Sequence, residues 1–289
     1  MTFEAYETSA RGGKPTHLFL FGRQSKAWRF IACDRDQVRG GQTYTACAIS
    51  RTAIKQSAES QQNTVTITLP YSLNPNAAEL PPTQDFGNNW LPFVPSDPIS
   101  VSCMATHLDD PDQEVVVEWL GFVQQPKFDD ATQTLALTCV PPGQIGKAMY
   151  QGAKFQVACW KTPYSTGLRG CNLVSADFEI AATLTAVDGL NLTADAFGTA
   201  PFNLAGGDIW WTDAASGLVI RRPIWAHTGT TITLLYGAAD LAVGLNVTVR
   251  PTCPGTWAAC TARNNTINYG GAIYKPVQNP YDGQSMSWG

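Results

Sequence analysis

The 289-residue chain carries 19 basic and 23 acidic residues, a net charge of −4, and 44% of it is hydrophobic. This balance offers no broad basic surface for neutralising phosphates, so nucleic acid binding is not expected. With 25 glycines and 19 prolines, the composition excludes a disordered or fibrous protein and is typical of a folded, turn-rich, β-rich one. The length favours two domains.

The N-terminal residues Met1-Thr2-Phe3-Glu4 lack the basic start and apolar stretch of a signal peptide, and no apolar run in the sequence is long enough to span a bilayer. We therefore expect folding in the cytoplasm and no stable membrane insertion. In a reducing compartment the eight cysteines are expected to be thiols or metal ligands and not disulfides.

Short strands are predicted throughout the first half of the chain. Stretches rich in β-branched and aromatic residues alternate with turn residues, which is typical of an antiparallel barrel or sandwich. The predicted strands are residues 17–21, 27–31, 64–69, 99–103, 114–119 and 134–139. Residues 74–98, crowded with Pro, Asn and Asp, are predicted to form a long irregular connection. Residues 1–148 are therefore predicted to form a β-rich domain.

A second β-rich domain is predicted for residues 149–276, with residues 277–289 as a C-terminal arm. Its strands are expected at residues 208–211, 219–224, 231–235 and 245–249, and the last one leads directly to Cys253. The predicted fold class is mainly β, with two barrel-like or sandwich-like lobes and little helix. Of the adjacent Trp210 and Trp211, one ring is expected in the core and the other is a candidate for an interface.

The cysteines fall into two groups. One group lies in or beside predicted strands, where a thiol usually acts as a small buried hydrophobic group; it comprises Cys33, Cys47, Cys103 and Cys139. The other group forms two pairs, Cys159 with Cys171 and Cys253 with Cys260, separated by the second β region. Because an inserted β module returns the chain close to where it left, these two pairs can converge.

Four converging thiolates can hold a tetrahedral zinc ion or a cubane iron–sulfur cluster. The eleven and six residues that separate the members of each pair exceed the spacing of a usual zinc knuckle. From spacing alone, a cluster, a zinc ion and no metal all remain open.

Three segments of the chain resemble the tail tip hub family of phages, the family related to the lambda tail tip protein L and to the hub of gene transfer agents. The first runs from Tyr150-Gln151-Gly152 through Cys159-Trp160 to Arg169-Gly170-Cys171-Asn172-Leu173 and Phe178. The second runs from Thr252-Cys253-Pro254 through Cys260-Thr261-Ala262-Arg263 to Asn268-Tyr269-Gly270-Gly271. The third comprises Trp28-Arg29-Phe30, Tyr44-Thr45-Ala46, Ile49-Ser50-Arg51 and Ile54. The chain differs from the family pattern at Asn264-Asn265 and at Pro254, none of which is a ligand position.

The resemblance implies that Cys159, Cys171, Cys253 and Cys260 ligate a [4Fe–4S] cluster, which would staple the second lobe by closing a loop of about eighty residues. It further implies a structural, non-enzymatic baseplate hub at the virion tail tip, assembled in the host cytoplasm. Its expected partners are two further copies in a homotrimer, a distal tail protein and a central fibre (tail tip attachment) protein.

The sequence leaves two alternative functions open. One is a zinc-stapled binding module, and the other is an enzyme, either a cluster-dependent redox protein or a cell-wall-degrading tail component. The histidines at 17, 107 and 227 are isolated and match no metalloprotease motif. The acidic segment 107–112 is predicted to be a turn and not a cation or acid–base site.

Overall fold

The computed structural model describes residues 3–8, 13–55, 63–142, 153 and 155–275. The predicted C-terminal arm, 277–289, lies outside these residues, as does the 150–152 segment that opens the first family element. The chain divides into two compact units, Met1–Ala148 with Ala214–Leu218, and Met149–Asp213 with Val219–Gly289.

The prediction of a mainly β protein is confirmed. The described residues form two sheets, one of nine strands and one of seven. The first sheet contains β1 (Pro15–Arg23), β2 (Lys26–Ile31), β3 (Gln37–Arg39), β4 (Gln42–Ala46), β5 (Ser50–Arg51), β6 (Val65–Pro70), β7 (Ser100–His107), β8 (Val116–Asp129) and β9 (Thr134–Val140). The second contains β10 (Ile180–Thr183), β11 (Ala186–Asp188), β12 (Asn191–Thr193), β13 (Asp208–Thr212), β14 (Val219–Thr228), β15 (Thr231–Leu234) and β16 (Asn246–Arg250).

Helices in the described part of the chain are short. The α-helices are α1 (Phe3–Glu7), α2 (Gln84–Gly87), α3 (Asp195–Gly198) and α4 (Trp257–Ala262), and the 3-10 turns are Asn88–Trp90, Ser175–Phe178 and Thr266–Asn268. Among these residues, no helix has the length and apolar character that crossing a bilayer requires.

The nine-stranded sheet has the order β3-β4-β2-β1-β7-β8-β9-β6-β5, and its pairings are antiparallel apart from that of β2 with β4. Its strands follow from period-two patterning: in β6, Val65, Ile67 and Leu69 are fully buried while the intervening threonines are half-buried. The irregular 74–98 connection contributes α2, whose Phe86 packs against the rings of four other core aromatics. This connection therefore helps to close the core and is not merely a surface loop.

The seven-stranded sheet has the order β10-β16-β13-β14-β15-β12-β11, all of it antiparallel. Trp211 is buried in its core, as expected of one of the two adjacent tryptophans. Trp210, on the opposite face, is half-buried beneath the guanidinium groups of Arg221 and Arg250, at 5.0 and 5.3 Å from its ring centre. These cation–π contacts cover the ring that the sequence marked as a candidate for an interface.

The cysteines of the first unit behave as core residues. Cys47, Cys103 and Cys139 are buried, whereas Cys33 is half-buried and donates to the carbonyl of Arg35. Burial raises the pKa of both Cys47 and Cys103 to about 12. These thiols therefore stay protonated and unreactive at neutral pH.

The acidic segment after β7 is a turn, as predicted. The backbone N–H of Asp110 donates to the carbonyl of His107, and the Asp110 carboxylate accepts from the N–H groups of Asp112 and Glu114. The His107 ring is buried against Phe3 of α1 and is not part of a group of metal ligands in the described chain.

Candidate metal centre

The second sheet brings two distant segments of the chain side by side. Strands β10 and β16 pair antiparallel, with Ile180 opposite Val249. The residues that precede β10 and those that follow β16 therefore leave the sheet from the same end. We call residues 153–176 the first arm, residues 251–275 the second arm, and the two together the cysteine module.

Hydrogen bonds hold the two arms together over most of their length. Several of them are short, so the arms form one packed structure and not two independent loops. The five shortest, donor first, are Cys159 N to Gly255 O (2.7 Å), Tyr164 Oη to Pro251 O (2.6 Å), Tyr269 Oη to Val157 O (2.6 Å), Ala272 N to Gln156 O (2.8 Å) and Asn265 Nδ2 to Cys171 O (2.7 Å).

A cavity of about 130 Å³ in the cysteine module is lined by all four cysteines singled out from the sequence: Cys159, Cys171, Cys253 and Cys260. The two pairs therefore converge across the inserted sheet. Within the described ranges, no three His, Cys, Asp or Glu side chains are grouped closely enough to hold a single metal ion. A tetrahedral zinc ion requires its thiolate sulfurs to lie about 3.8 Å apart, given Zn–S bonds of about 2.3 Å.

Helix α4 positions Cys260. The Thr256 hydroxyl caps the N-terminus by accepting from the N–H of Ala259. At the C-terminus Asn264 adopts the left-handed conformation, with φ of +51°. The N–H groups of Asn264 and Asn265 then donate to the carbonyls of Thr261 and Cys260, which is the hydrogen-bond pattern of a Schellman motif.

This helix ending places Asn265 between the two cysteine pairs. Its buried side chain donates through Nδ2 to the carbonyl of Cys171 at 2.7 Å and lies 3.5 Å from the Cys171 sulfur. Its carbonyl oxygen accepts from the Cys260 thiol at 3.1 Å, and its Oδ1 accepts from Asn268. Asn265 therefore connects one cysteine of each pair.

Backbone N–H groups also contribute to the positions of Cys159 and Cys171. The N–H of Gly270 points to the Cys159 sulfur at 3.3 Å, and the N–H of Cys171 donates to the Ser165 hydroxyl. A Cβ at Gly271 would lie 2.2 Å from the carbonyl oxygen of Val157, so only glycine allows the arms to approach this closely. Amide groups directed at cysteine sulfurs are also what stabilises thiolate ligands.

Electrostatics disfavour a free thiolate at Cys260. Burial raises the pKa of Cys260, and the negative charges of Cys253, Cys159 and Cys171 raise it further. The Arg263 guanidinium acts in the opposite direction; it lines the cavity, is nearly buried, and its Nε has no hydrogen-bond partner. A bound cation would offset the repulsion at Cys260.

The residues present fit a cysteine-ligated cluster. Four thiols line a common cavity, two N–H groups face their sulfurs, and a buried cation can offset the negative charge of the ligands. Two supporting residues, Asn265 and Arg263, were not assigned a role from the sequence. One feature of the sequence could have pointed to Asn265, namely that Asn264-Asn265 departs from the family pattern. The Schellman motif explains this departure.

Comparison with known proteins adds three findings. Residues 203–279 match the family described as "Phage conserved hypothetical protein BR0599". An "Uncharacterized protein" of Xylella fastidiosa (strain 9a5c) is 31% identical, and the match covers 100% of both chains. A chain of the solved structure "Virion of native gene transfer agent (GTA) particle" is similar with a TM-score of 0.73 and 16% identity, covering 100% of this chain and 98% of that one. At that identity the similarity shows a shared fold.

Proposed function

We propose that this chain, which belongs to the same protein family as the Xylella fastidiosa relative, is a structural protein of a phage-type virion tail. Two findings support the proposal: a phage-conserved family matches the segment that includes β13 to β16 and the second arm, and the whole fold is similar to a chain of a gene transfer agent virion.

We propose further that the cysteine module holds a [4Fe–4S] cluster on Cys159, Cys171, Cys253 and Cys260. The observation that carries this proposal is that all four side chains line one cavity although the second sheet separates the two pairs in sequence. When bound, the cluster supplies a covalent cross-link between the arms, which is a structural and not a catalytic role.

The surrounding residues have separate tasks in this proposal. Gly270 and Asn265 direct N–H groups at the sulfurs of Cys159 and Cys171, where they would hydrogen-bond the cluster's ligand atoms. Arg263 places a positive charge beside the ligands, and its stacking on Phe202, 4.0 Å away, holds it there. The second sheet fixes the distance between the arms through the pairing of β10 with β16.

The place we propose for the protein in the virion is the hub at the tail tip. Three copies would form a ring, with the distal tail protein above and the central fibre protein below, assembled in the host cytoplasm. This finer assignment rests on the resemblance of the two cysteine-bearing elements to tail tip hub proteins. Immunogold labelling of intact particles tests it: label at the tail end is expected, and label on the capsid or along the tail tube would refute it.

The cluster is tested on protein purified without oxygen, by its absorbance spectrum and by iron and sulfide analysis. Broad absorbance at about 400 nm with about four irons per chain is expected. Cys171→Ser should abolish both signals, whereas Cys33→Ser, which changes a half-buried cysteine of the first unit, should retain them. One zinc per chain would favour the zinc-stapled module, and turnover of peptidoglycan or of an electron donor would favour an enzyme.

A further inference from the structure

The cysteine module differs sharply in charge from the rest of the chain. Its two arms, residues 153–176 and 251–275, contain five basic residues and no Asp or Glu. The remainder contains 14 basic and 23 acidic residues, a net charge of −9. A basic module is thus attached to an acidic protein, although the whole chain has a net charge of only −4.

The same module exposes large apolar side chains at its surface. Leu168, at the apex of a loop, is fully exposed, and Ile267 is 92% exposed. Their two loops are joined by the hydrogen bond from Asn172 to Asn268, and Arg169 is exposed beside Leu168. Other large apolar residues that the arms expose are Phe155, Val157, Val174, Trp257 and Tyr274. We call Leu168, Arg169 and Ile267 the basic tip.

Exposed aliphatic and aromatic groups with basic neighbours and few carboxylates are typical of a protein interface. If two copies met through the same face, the basic tip of one would meet the basic tip of the other, and like charges would oppose the contact. A contact between the basic tip and an acidic part of another copy is favoured instead. Such a contact is heterologous, and it generates a ring when its rotation closes.

We propose that the basic tip binds a second copy of this chain head to tail, against the acidic surface of its first unit. This inference rests on the proposed function and adds to it the surface through which the ring is formed. Arg263 lies inside the module, and among the charged side chains of the arms that the structure describes Arg169 alone is exposed, so it is the charge available for this contact.

The opposing surface is suggested by the acidic part of the first unit. Between Lys55 and Lys127 the sequence has nine carboxylates and neither Lys nor Arg, and three of the carboxylates, Asp85, Asp109 and Glu118, are ion-paired with basic residues outside this stretch. In this stretch Leu80, Phe93 and Val94 are exposed, and Glu79 is exposed next to Leu80. Apolar groups and opposite charge therefore occur on both sides of the proposed contact.

The first test measures self-association of the full-length, anaerobically purified protein by sedimentation velocity over a range of concentrations. Leu168→Ser with Ile267→Ser should weaken association about tenfold or more, as expected for apolar groups at the centre of an interface. The matched control, Trp225→Ser with Val243→Ser, changes two exposed apolar residues outside the arms and should leave association unchanged. Equal association of the two variants would refute the role of the basic tip.

The second test exchanges charges. Arg169→Glu and Glu79→Arg should each weaken association, and the double variant should restore it, because the opposite charges then face each other again. Higher salt should weaken association of the wild type. Failure of the double variant to recover would place the contact elsewhere on the acidic surface and so overturn the stated pairing.

These outcomes separate this inference from the proposed function. A protein that carries the cluster spectrum but stays monomeric at all concentrations would refute the head-to-tail contact and leave the cluster assignment intact. A colourless protein that associates through the basic tip would refute the cluster assignment and leave the head-to-tail contact intact.

Discussion

Replacing Asn265 by alanine tests whether one side chain couples the two cysteine pairs. The change removes two short hydrogen bonds, to Cys171 and from Asn268, each 2.7 Å long and each contributing about 1 kcal/mol. It also leaves the buried carbonyl of Cys171 without this donor, which costs about another 1 kcal/mol. The expected loss in free energy of unfolding is therefore about 3 kcal/mol.

The assay is urea unfolding of reduced protein in the presence of a chelator, so that metal binding does not contribute. With a urea dependence of about 3 kcal/mol per molar, the midpoint should fall by about 1 M. Asn265→Asp keeps the volume but removes the donor, and it should lose at least as much stability at pH 7 as alanine does. Asn76→Ala, at an exposed position of the first unit, serves as the control and should be neutral. A midpoint for Asn265→Ala within about 0.2 M of the wild type would refute the coupling.

Two further predictions concern packing and pH. Gly271→Ala places a Cβ 2.2 Å from the Val157 carbonyl and should lower the iron content by shifting the segment that carries Cys159. Gly40→Ala, in a turn of the first unit, places its Cβ within 4 Å of no atom; it strains only that turn, where φ is +55°, and should retain iron. Equal iron contents would contradict the packing argument. Burial raises the pKa of Cys47 and Cys103 to about 12, whereas unfolded thiols ionise at about pH 8.5. The stability that each protonated thiol contributes is therefore fully present below about pH 8.5. Above that pH it is lost at about 1.4 kcal/mol per pH unit, up to about pH 12. Urea unfolding at pH 8 and pH 10 should therefore show a smaller pH dependence for Cys103→Ala than for the wild type, and identical dependences would contradict this cause.

The long strands could be predicted from the sequence because buried and less buried residues alternate along them. Each of the ten strands predicted by residue number overlaps a strand of the structure, from β1 to β16. The strands that were not predicted are β3, β4, β5, β10, β11 and β12, of two to five residues each. Such lengths are too short for a periodic pattern to show, and these strands exist because longer neighbours supply their hydrogen-bond partners.

The candidate site was only partly accessible to sequence reasoning. The four cysteines could be singled out because their type and pairing are visible along the chain, and the inserted sheet explains why they share a cavity. The role of Asn265 could not be seen, because it depends on how α4 ends and on the distance from there to Cys171. That these cysteines hold a [4Fe–4S] cluster is a prediction, which the absorbance spectrum and the metal analysis test.

The pairing of β10 with β16 also determines how the second unit would respond to mechanical load. Four residue pairs, from Ile180–Val249 to Thr183–Asn246, join these strands, and both chain ends leave from the same side. Tension applied through the two arms would break the hydrogen bonds between β10 and β16 one at a time, starting from the end where the arms leave the sheet. A sheet resists pulling least in this direction. If a cluster bridged the thiolates of the two arms, the load would pass from one arm to the other through the cluster. It would then bypass residues 184–245. The sheet would then be spared the force, and the strength of the unit under tension would be set by metal–sulfur bonds.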